Sequence, residues 1–254
     1  MNLEIIEIYS FFPINEIFIT FTNIFVSSNS VMERIIEGTS TYISEIPSNS
    51  DKCPRKMSLL LDLDCTLVNS LNLQELRKLP REVQRKFRYV DMKGYYRIFQ
   101  RPYLQAFLDY AFSNFEVSVF TAADKDYALF IIENLILTKP NRHLKNVFHG
   151  YTSELSEAYF DSPKDLRLLW DVLKIDGLAP CSTILLDDLS DVFEANPRNV
   201  VRAKKFELLK NGKFDRKQLH DNFLLEVIPK LETRKQKFSA CCCRCLVGDG
   251  SCDC

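Results

Sequence analysis

The chain has 254 residues, 46% hydrophobic and 12% aromatic, with 33 Lys or Arg against 34 Asp or Glu for a formal net charge of −1. That apolar content excludes a disordered chain, and the length allows one good-sized α/β domain with appendages or two small domains. The near-neutral balance excludes a global pull toward nucleic acid or membrane, so no direct nucleic-acid partner is expected and any charged surface must arise locally.

Residues 1 to about 50 mix Ile, Phe, Asn, Ser and Thr without a sustained period and close on Pro47-Ser48-Asn49-Ser50-Asp51, which reads as a linker. The apolar run Ile17 to Val26 is too short for a transmembrane span, which needs about 20 residues. A secretory leader is not expected either, since Glu4 and Glu7 stand where a basic n-region would be.

Ser58-Leu59-Leu60-Leu61 then runs directly into Asp62-Leu63-Asp64-Cys65-Thr66-Leu67-Val68. The apolar run is short enough to predict a buried strand, with two carboxylates at its carboxyl end, where an open α/β sheet forms its ligand crevice. Two acids placed there with no cation would cost several kcal/mol in repulsion and desolvation. A divalent cation is the expected resolution.

From Leu71 to Arg101 follows an insertion with nine Lys or Arg against Glu75, Glu82 and Asp91, a local balance of +6. Most such runs are solvated faces, although one placed directly after the acids could attract an acidic peptide. Within it, Tyr95 to Phe99 predicts a strand. Pro102 opens a helix with Leu104, Phe107, Leu108 and Ala111 on one face, and Phe115 to Phe120 alternates as a strand ending at Thr121. Asp124 is expected to cap a helix through Leu135 that buries Tyr127, Ala128, Ile131 and Ile132. A loop is predicted around Asn141 and Gly150, then a helix opening at Ser162-Pro163-Lys164-Asp165. Thr183 to Leu186 is a third strand, again ending in acids, Asp187 and Asp188. Arg198 to Lys217 is a second basic run, and a late helix is expected from Asp215 to about Glu232. Strands alternating with helices argue a mostly parallel sheet.

Nine cysteines include Cys241, Cys242, Cys243, Cys245, Cys252 and Cys254 crowded at the end, unlike a secreted disulfide framework, so a reducing, intracellular compartment is expected. This tail fits no zinc spacing and is expected to be disordered or modified. The domains expected are 1–53, an extension and linker; 54–235, a catalytic domain with its insertion at about 69–101; and 236–254, the cysteine-rich tail.

Carboxylate chemistry is what remains. The seven glycines hold no Gly-x-x-x-x-Gly-Lys loop, no cysteine outside the tail has Arg six positions on, and His143, His149 and His220 make no close pair. A parallel sheet would bring Asp62, Asp64, Thr121, Asp187 and Asp188 to one crevice. Asp62, first off its strand, is the candidate nucleophile and would form an aspartyl-phosphate. Asp64 would protonate the leaving oxygen and later deprotonate water. Asp62, the Asp64 carbonyl and Asp188 would hold Mg²⁺; Thr66, Thr121 and Lys164 would hold phosphate oxygens, with Asp187 orienting Lys164. Singly, Lys164 reads as a solvated lysine and Thr121 as turn chemistry.

In these residues the chain resembles the haloacid dehalogenase superfamily, in its branch of RNA polymerase II C-terminal-domain phosphatases. The likeness rests on Asp62 to Val68, then Arg101-Pro102 with Phe107-Leu108, Phe120-Thr121-Ala122, Lys164-Asp165-Leu166, Ile184 to Asp188, and Asn196-Pro197-x-Asn199. It covers roughly residues 55 to 210. It implies a Rossmann-like α/β sheet flanked by helices, with a small β-containing insertion after the first motif shaping the substrate groove. It also implies Mg²⁺ and a phosphoserine or phosphothreonine protein as substrate, such as the polymerase tail, in nucleus or cytoplasm. Cys65 stands where the family usually has Glu, and Leu189-Ser190 replaces a frequent Ser-Pro. Two other readings are an idle, import-receptor-like binding module and a phosphatase of small metabolites.

Overall fold

The structure, a computed structural model, describes residues 56–246, with side chains to residue 239. The segment 1–50, with Ile17 to Val26, lies outside the described residues.

A five-stranded parallel sheet forms the centre, in the order β6 (Val147–Phe148), β5 (Glu116–Phe120), β1 (Ser58–Leu61), β7 (Thr183–Asp187) and β8 (Val200–Arg202). Strand β1, Ser58–Leu61, lies in the middle, pairing Leu59 with Val117 of β5 (Glu116–Phe120) on one side and with Ile184 of β7 (Thr183–Asp187) on the other. Its three leucines fill both faces because both are covered. Leu59 and Leu61 enter one core with Val117, Val119, Ile184 and Leu186, while Leu60 joins Phe120, Leu166, Leu169 and Leu185 in another. Each fully buried leucine contributes about 1.5–3 kcal/mol, enough to hold the strand that carries Asp62 in one register.

Helix α1, Leu104–Asn114, buries Leu104, Phe107, Leu108 and Ala111, the four residues expected. The insertion is more strand-rich than expected. Strands β2 (Val68–Asn72), β3 (Tyr89–Met92) and β4 (Tyr96–Gln100) form an antiparallel sheet in the order β2-β4-β3, with Phe87, Phe99, Leu71 and Leu79 packed in a core of their own.

Other elements differ for identifiable reasons. Asp124 makes no capping bond through its side chain, and α2 (Lys125–Ile131) relaxes into a π-turn at Ile132–Ile136. The loop expected near Gly150 is helix α3, Gly150–Phe160. Its buried face is Ser153 and Ser156, whose hydroxyls donate to the carbonyls of Pro163 (2.7 Å) and Ser162 (2.6 Å). No helix begins at Lys164: the Asn196 side chain accepts from the Leu166 amide (2.9 Å) and donates to the Lys164 carbonyl (2.8 Å), so only a π-turn forms, at Leu168–Val172. The edge strands β6 (Val147–Phe148) and β8 (Val200–Arg202), the short hairpin of β9 (Leu209–Lys210) with β10 (Lys213–Phe214), and α4 (Ser190–Ala195) complete the body. The late helix is broken into a 3-10 turn at Arg216–His220, α5 at Phe223–Glu226 and α6 at Ile228–Leu246. Pro229 suits only a first helical turn, which separates the last two. α6 runs across the expected boundary at 235, so the backbone through Cys241 to Cys245 is helical. Among the described residues no helix is long and apolar enough to cross a membrane.

Candidate active site

Adjacent parallel strands β5, β1 and β7 present their carboxyl ends side by side. Asp62 follows β1, and its amide donates to the Leu186 carbonyl (3.0 Å), which extends the ladder one residue into the site. The chain then turns sharply. Cys65 takes a left-handed conformation (φ 61°), its amide donates to the Val68 carbonyl (2.7 Å), and the Leu67 amide donates to that of Leu63 (2.8 Å). Such a conformation costs about 1–2 kcal/mol for a residue with a Cβ, so the turn must be held from outside. The Phe206 amide donates to the Cys65 carbonyl (2.7 Å), and the Arg101 guanidinium donates to that of Thr66 (2.8 Å). Arg101 is itself buried, paired bidentately with Asp221 (2.9 and 2.8 Å) over the Phe223 ring.

Oxygens of Asp62, Asp187 and Asp188 lie within 4.8 Å of one another. Lys164, buried, donates from Nζ to Asp62 Oδ1 (2.5 Å) and Asp187 Oδ2 (2.7 Å). The other Asp187 oxygen accepts the Leu189 amide (2.9 Å), and Thr66 Oγ1 donates to Asp188 Oδ1 (3.2 Å). Asp187 is thus committed on both oxygens, whereas Oδ2 of Asp62 and of Asp188 accept no hydrogen bond from the described residues. With all three ionised, three carboxylates against one ammonium leave two surplus negative charges. Hard oxygen donors with that surplus fit a hard divalent cation such as Mg²⁺.

Asp64 stands apart from this cluster, with Oδ1 accepting from the Tyr127 hydroxyl (2.5 Å), which in turn bonds Ser70. Thr121 Oγ1 accepts the Ala123 amide (3.1 Å), the turn bond its position suggested, and keeps its own proton to donate. All seven sequence-predicted residues therefore lie on this mouth or its walls, with Thr66 and Thr121 already partly engaged. Sequence reasoning missed Tyr127, taken for an apolar helix residue, and Ser70; a tyrosine shortly after Thr121, at a strand end expected to reach the same crevice, was the available signal. The motifs that contain Arg101 and Asn196 do not by themselves reveal what those side chains bond, and no local pattern marks Asp221.

Burial raises the carboxyl pKa of Asp64, opposed by Tyr127, and that of Asp188, reinforced by Asp187. It also pushes the Cys65 thiol up to about 12, with Asp188 adding to the effect, so no thiolate competes as nucleophile. Burial alone would lower the Lys164 ammonium, but Asp62 and Asp187 more than offset this and hold it above its ordinary value. Asp62 is raised from 3.8 to about 7, by burial first, against Lys164 and with Asp187 and Asp188.

This has a measurable sign. A carboxyl raised in the folded state contributes stability that is complete below its unfolded pKa of 3.8 and lost as pH rises through about 7. Metal-free protein is therefore expected to lose stability from about pH 5 to about pH 8 relative to Asp62→Asn, the gap changing by on the order of 2–4 kcal/mol. Melts of both proteins in EDTA at the two pH values check this; parallel pH dependences would refute it.

Residues 57–240 match the profile of the NLI interacting factor-like phosphatase family. The chain is 40% identical over 190 residues to CTD phosphatase-like protein 355R of Invertebrate iridescent virus 3, spanning 71% of this chain and 98% of the relative. It is 37% identical over 160 residues to the 355R protein of Invertebrate iridescent virus 6, spanning 61% and 88%. Two solved structures of the RNA polymerase II CTD phosphatase Fcp1 are similar at 20% identity: a fission yeast protein bound to beryllium fluoride (TM-score 0.45, 80% of this chain and 56% of that one) and a second (0.43, 77% and 55%). The chain thus spans just over half the length of each solved chain.

Proposed function

The chain belongs to the NLI interacting factor-like phosphatase family, and from that premise we propose that it is a Mg²⁺-dependent protein serine/threonine phosphatase acting in nucleus or cytoplasm on the polymerase tail or a similar phosphoprotein. One observation carries the reading: Asp62, Asp187 and Asp188 gathered around buried Lys164, with Asp64 beside them on a separate hydroxyl.

Asp62 Oδ2, which accepts no hydrogen bond from the described residues, attacks phosphorus, and the bond from phosphorus to the seryl or threonyl oxygen breaks. Asp64, held by Tyr127 and kept protonatable by burial, gives its proton to that leaving oxygen. In the second half Asp64 takes a proton from water, which attacks the phosphorus of the Asp62 acyl phosphate and releases inorganic phosphate. Lys164 opposes the burial that raises the Asp62 carboxyl and sets positive charge beside the phosphoryl oxygens, to which Thr66 and Thr121 are the neighbouring hydroxyls. Mg²⁺, held by Asp62, Asp188 and the Asp64 carbonyl, would offset the surplus charge and polarise the phosphoryl group.

The test is phosphate release from phosphoserine and phosphothreonine peptides by the full chain, with Mg²⁺ and with EDTA, alongside trapping of labelled protein. The expected result is release that stops in EDTA and returns with Mg²⁺, and a label removed by hydroxylamine, as an acyl phosphate requires. Release indifferent to EDTA, or a hydroxylamine-stable label, would overturn the proposal.

A further inference from the structure

Two contiguous cavities open beside Arg101, and the chemistry above uses neither. The first, about 360 Å³, is lined by Lys86, Phe87, Arg88, Gln100, Arg101 and Tyr103, among others. The second, about 450 Å³, shares Arg88, Gln100 and Gln105 with it and reaches Lys139. No Asp or Glu lines either one.

In a chain whose charges nearly cancel, a groove with four cations and no acid is a local positive potential. Two of the four are already answered, Arg101 by Asp221 and Lys139 by Asp109. Lys86 and Arg88 form no ion pair among the described residues. Their backbone is nevertheless held in place. Phe87 between them is buried against the rings of Phe99 (6.3 Å) and Phe206 (6.2 Å), and the Arg88 carbonyl accepts the Gln100 amide (2.8 Å). Exposed cations fixed at the wall of a concavity, instead of spread over a convex face, suit an anion larger than a solvent ion. The groove also abuts the reacting loop, since Arg101 lines it and donates to the Thr66 carbonyl.

We propose that this groove docks an acidic flank of the phosphoprotein substrate, a run of carboxylates or a second phosphate, through Lys86 and Arg88, while the scissile phosphate sits at Asp62. The inference rests on the phosphatase reading and adds a substrate class to it: peptides acidic on one side of the phosphorylated residue.

The test compares two phosphopeptides that differ only in a flank of three Glu or three Gln. Their affinities are measured by fluorescence anisotropy on Asp62→Asn, and kcat/KM on the wild type. Each part-exposed charge contact is worth a factor of about two to five. The acidic peptide is therefore expected to bind about tenfold tighter at low salt, with the preference shrinking as ionic strength rises. In Lys86→Glu/Arg88→Glu the ratio should fall to about one or invert, whereas Arg85→Glu, exposed but outside the groove, should keep it. Equal affinities in the parent protein, an unchanged ratio in the double variant, an equal loss in Arg85→Glu, or tighter binding to phosphatidylserine vesicles than to the peptide would each overturn the proposal. Charge-dependent binding without turnover by the wild type would uphold the docking groove while the phosphatase reading failed.

Discussion

Asp62→Asn is expected to abolish phosphopeptide turnover, lowering kcat by at least about 10³-fold, or about 4 kcal/mol of barrier. An amide oxygen at that position is a poor nucleophile and forms no stable acyl phosphate, and Asp188, the neighbour with an open oxygen, is bonded by Thr66 and assigned to the metal. Asp187 is occupied on both oxygens by Lys164 and Leu189, and the Cys65 thiol is pushed up to about 12. The variant should remain folded, because the carboxylate it loses is a buried charge among like charges, and Lys164 retains Asp187 as partner. Circular dichroism and a phosphate-release assay on the same preparation decide the matter: a folded variant with wild-type turnover would remove Asp62 from its role.

Lys164→Met should produce the second large effect, this time on the fold as well. The ammonium is the cation bonding both Asp62 and Asp187, and all three side chains are almost completely buried. Removing one partner of a buried ionic group typically costs about 3–5 kcal/mol, since the remaining charges keep their desolvation penalty and lose its compensation. For a body of this size that corresponds to a fall in melting temperature of about 10 °C in metal-free buffer near pH 8. Methionine is similar in length, so little of the loss is packing. Part of it should return with saturating Mg²⁺, which stabilises by binding the folded form, while kcat stays low because the phosphoryl oxygens lack their fixed positive charge. An unchanged melting temperature would mean that the buried triad is not held by Coulomb attraction.

Strands β1 and β7 were legible because a strand covered on both faces must be apolar at nearly every position, and Leu59 to Leu61 and Ile184 to Leu186 leave little else, whereas β5 showed itself by the alternation of Val117 and Val119 with Glu116 and Ser118. Acids at the ends of two such strands then announced the site. Helix α3 was not legible: its inward residues are Ser153 and Ser156, chosen to bond the carbonyls of the loop before Lys164, so it carries no apolar stripe. That same loop lost its predicted helix to a distant side chain, Asn196, whose grip on residues 164 and 166 is invisible to any local pattern. Two-residue strands such as Val147–Phe148 are shorter than the period that would reveal them. Tyr127 was misjudged because its ring does join the apolar stripe of α2, and only its hydroxyl reaches Asp64.

The contact between Arg101 and Asp221 sets how far the chain can be trimmed. The recognisable motifs are complete by residue 210, and a minimal fragment designed around them would stop near there with every reacting group aboard. It would also strand a guanidinium beneath the floor of the pocket, with no counter-ion and without the aromatic ring of Phe223 under it. The turn that aims the two acids would then rest on a foundation that had been cut away.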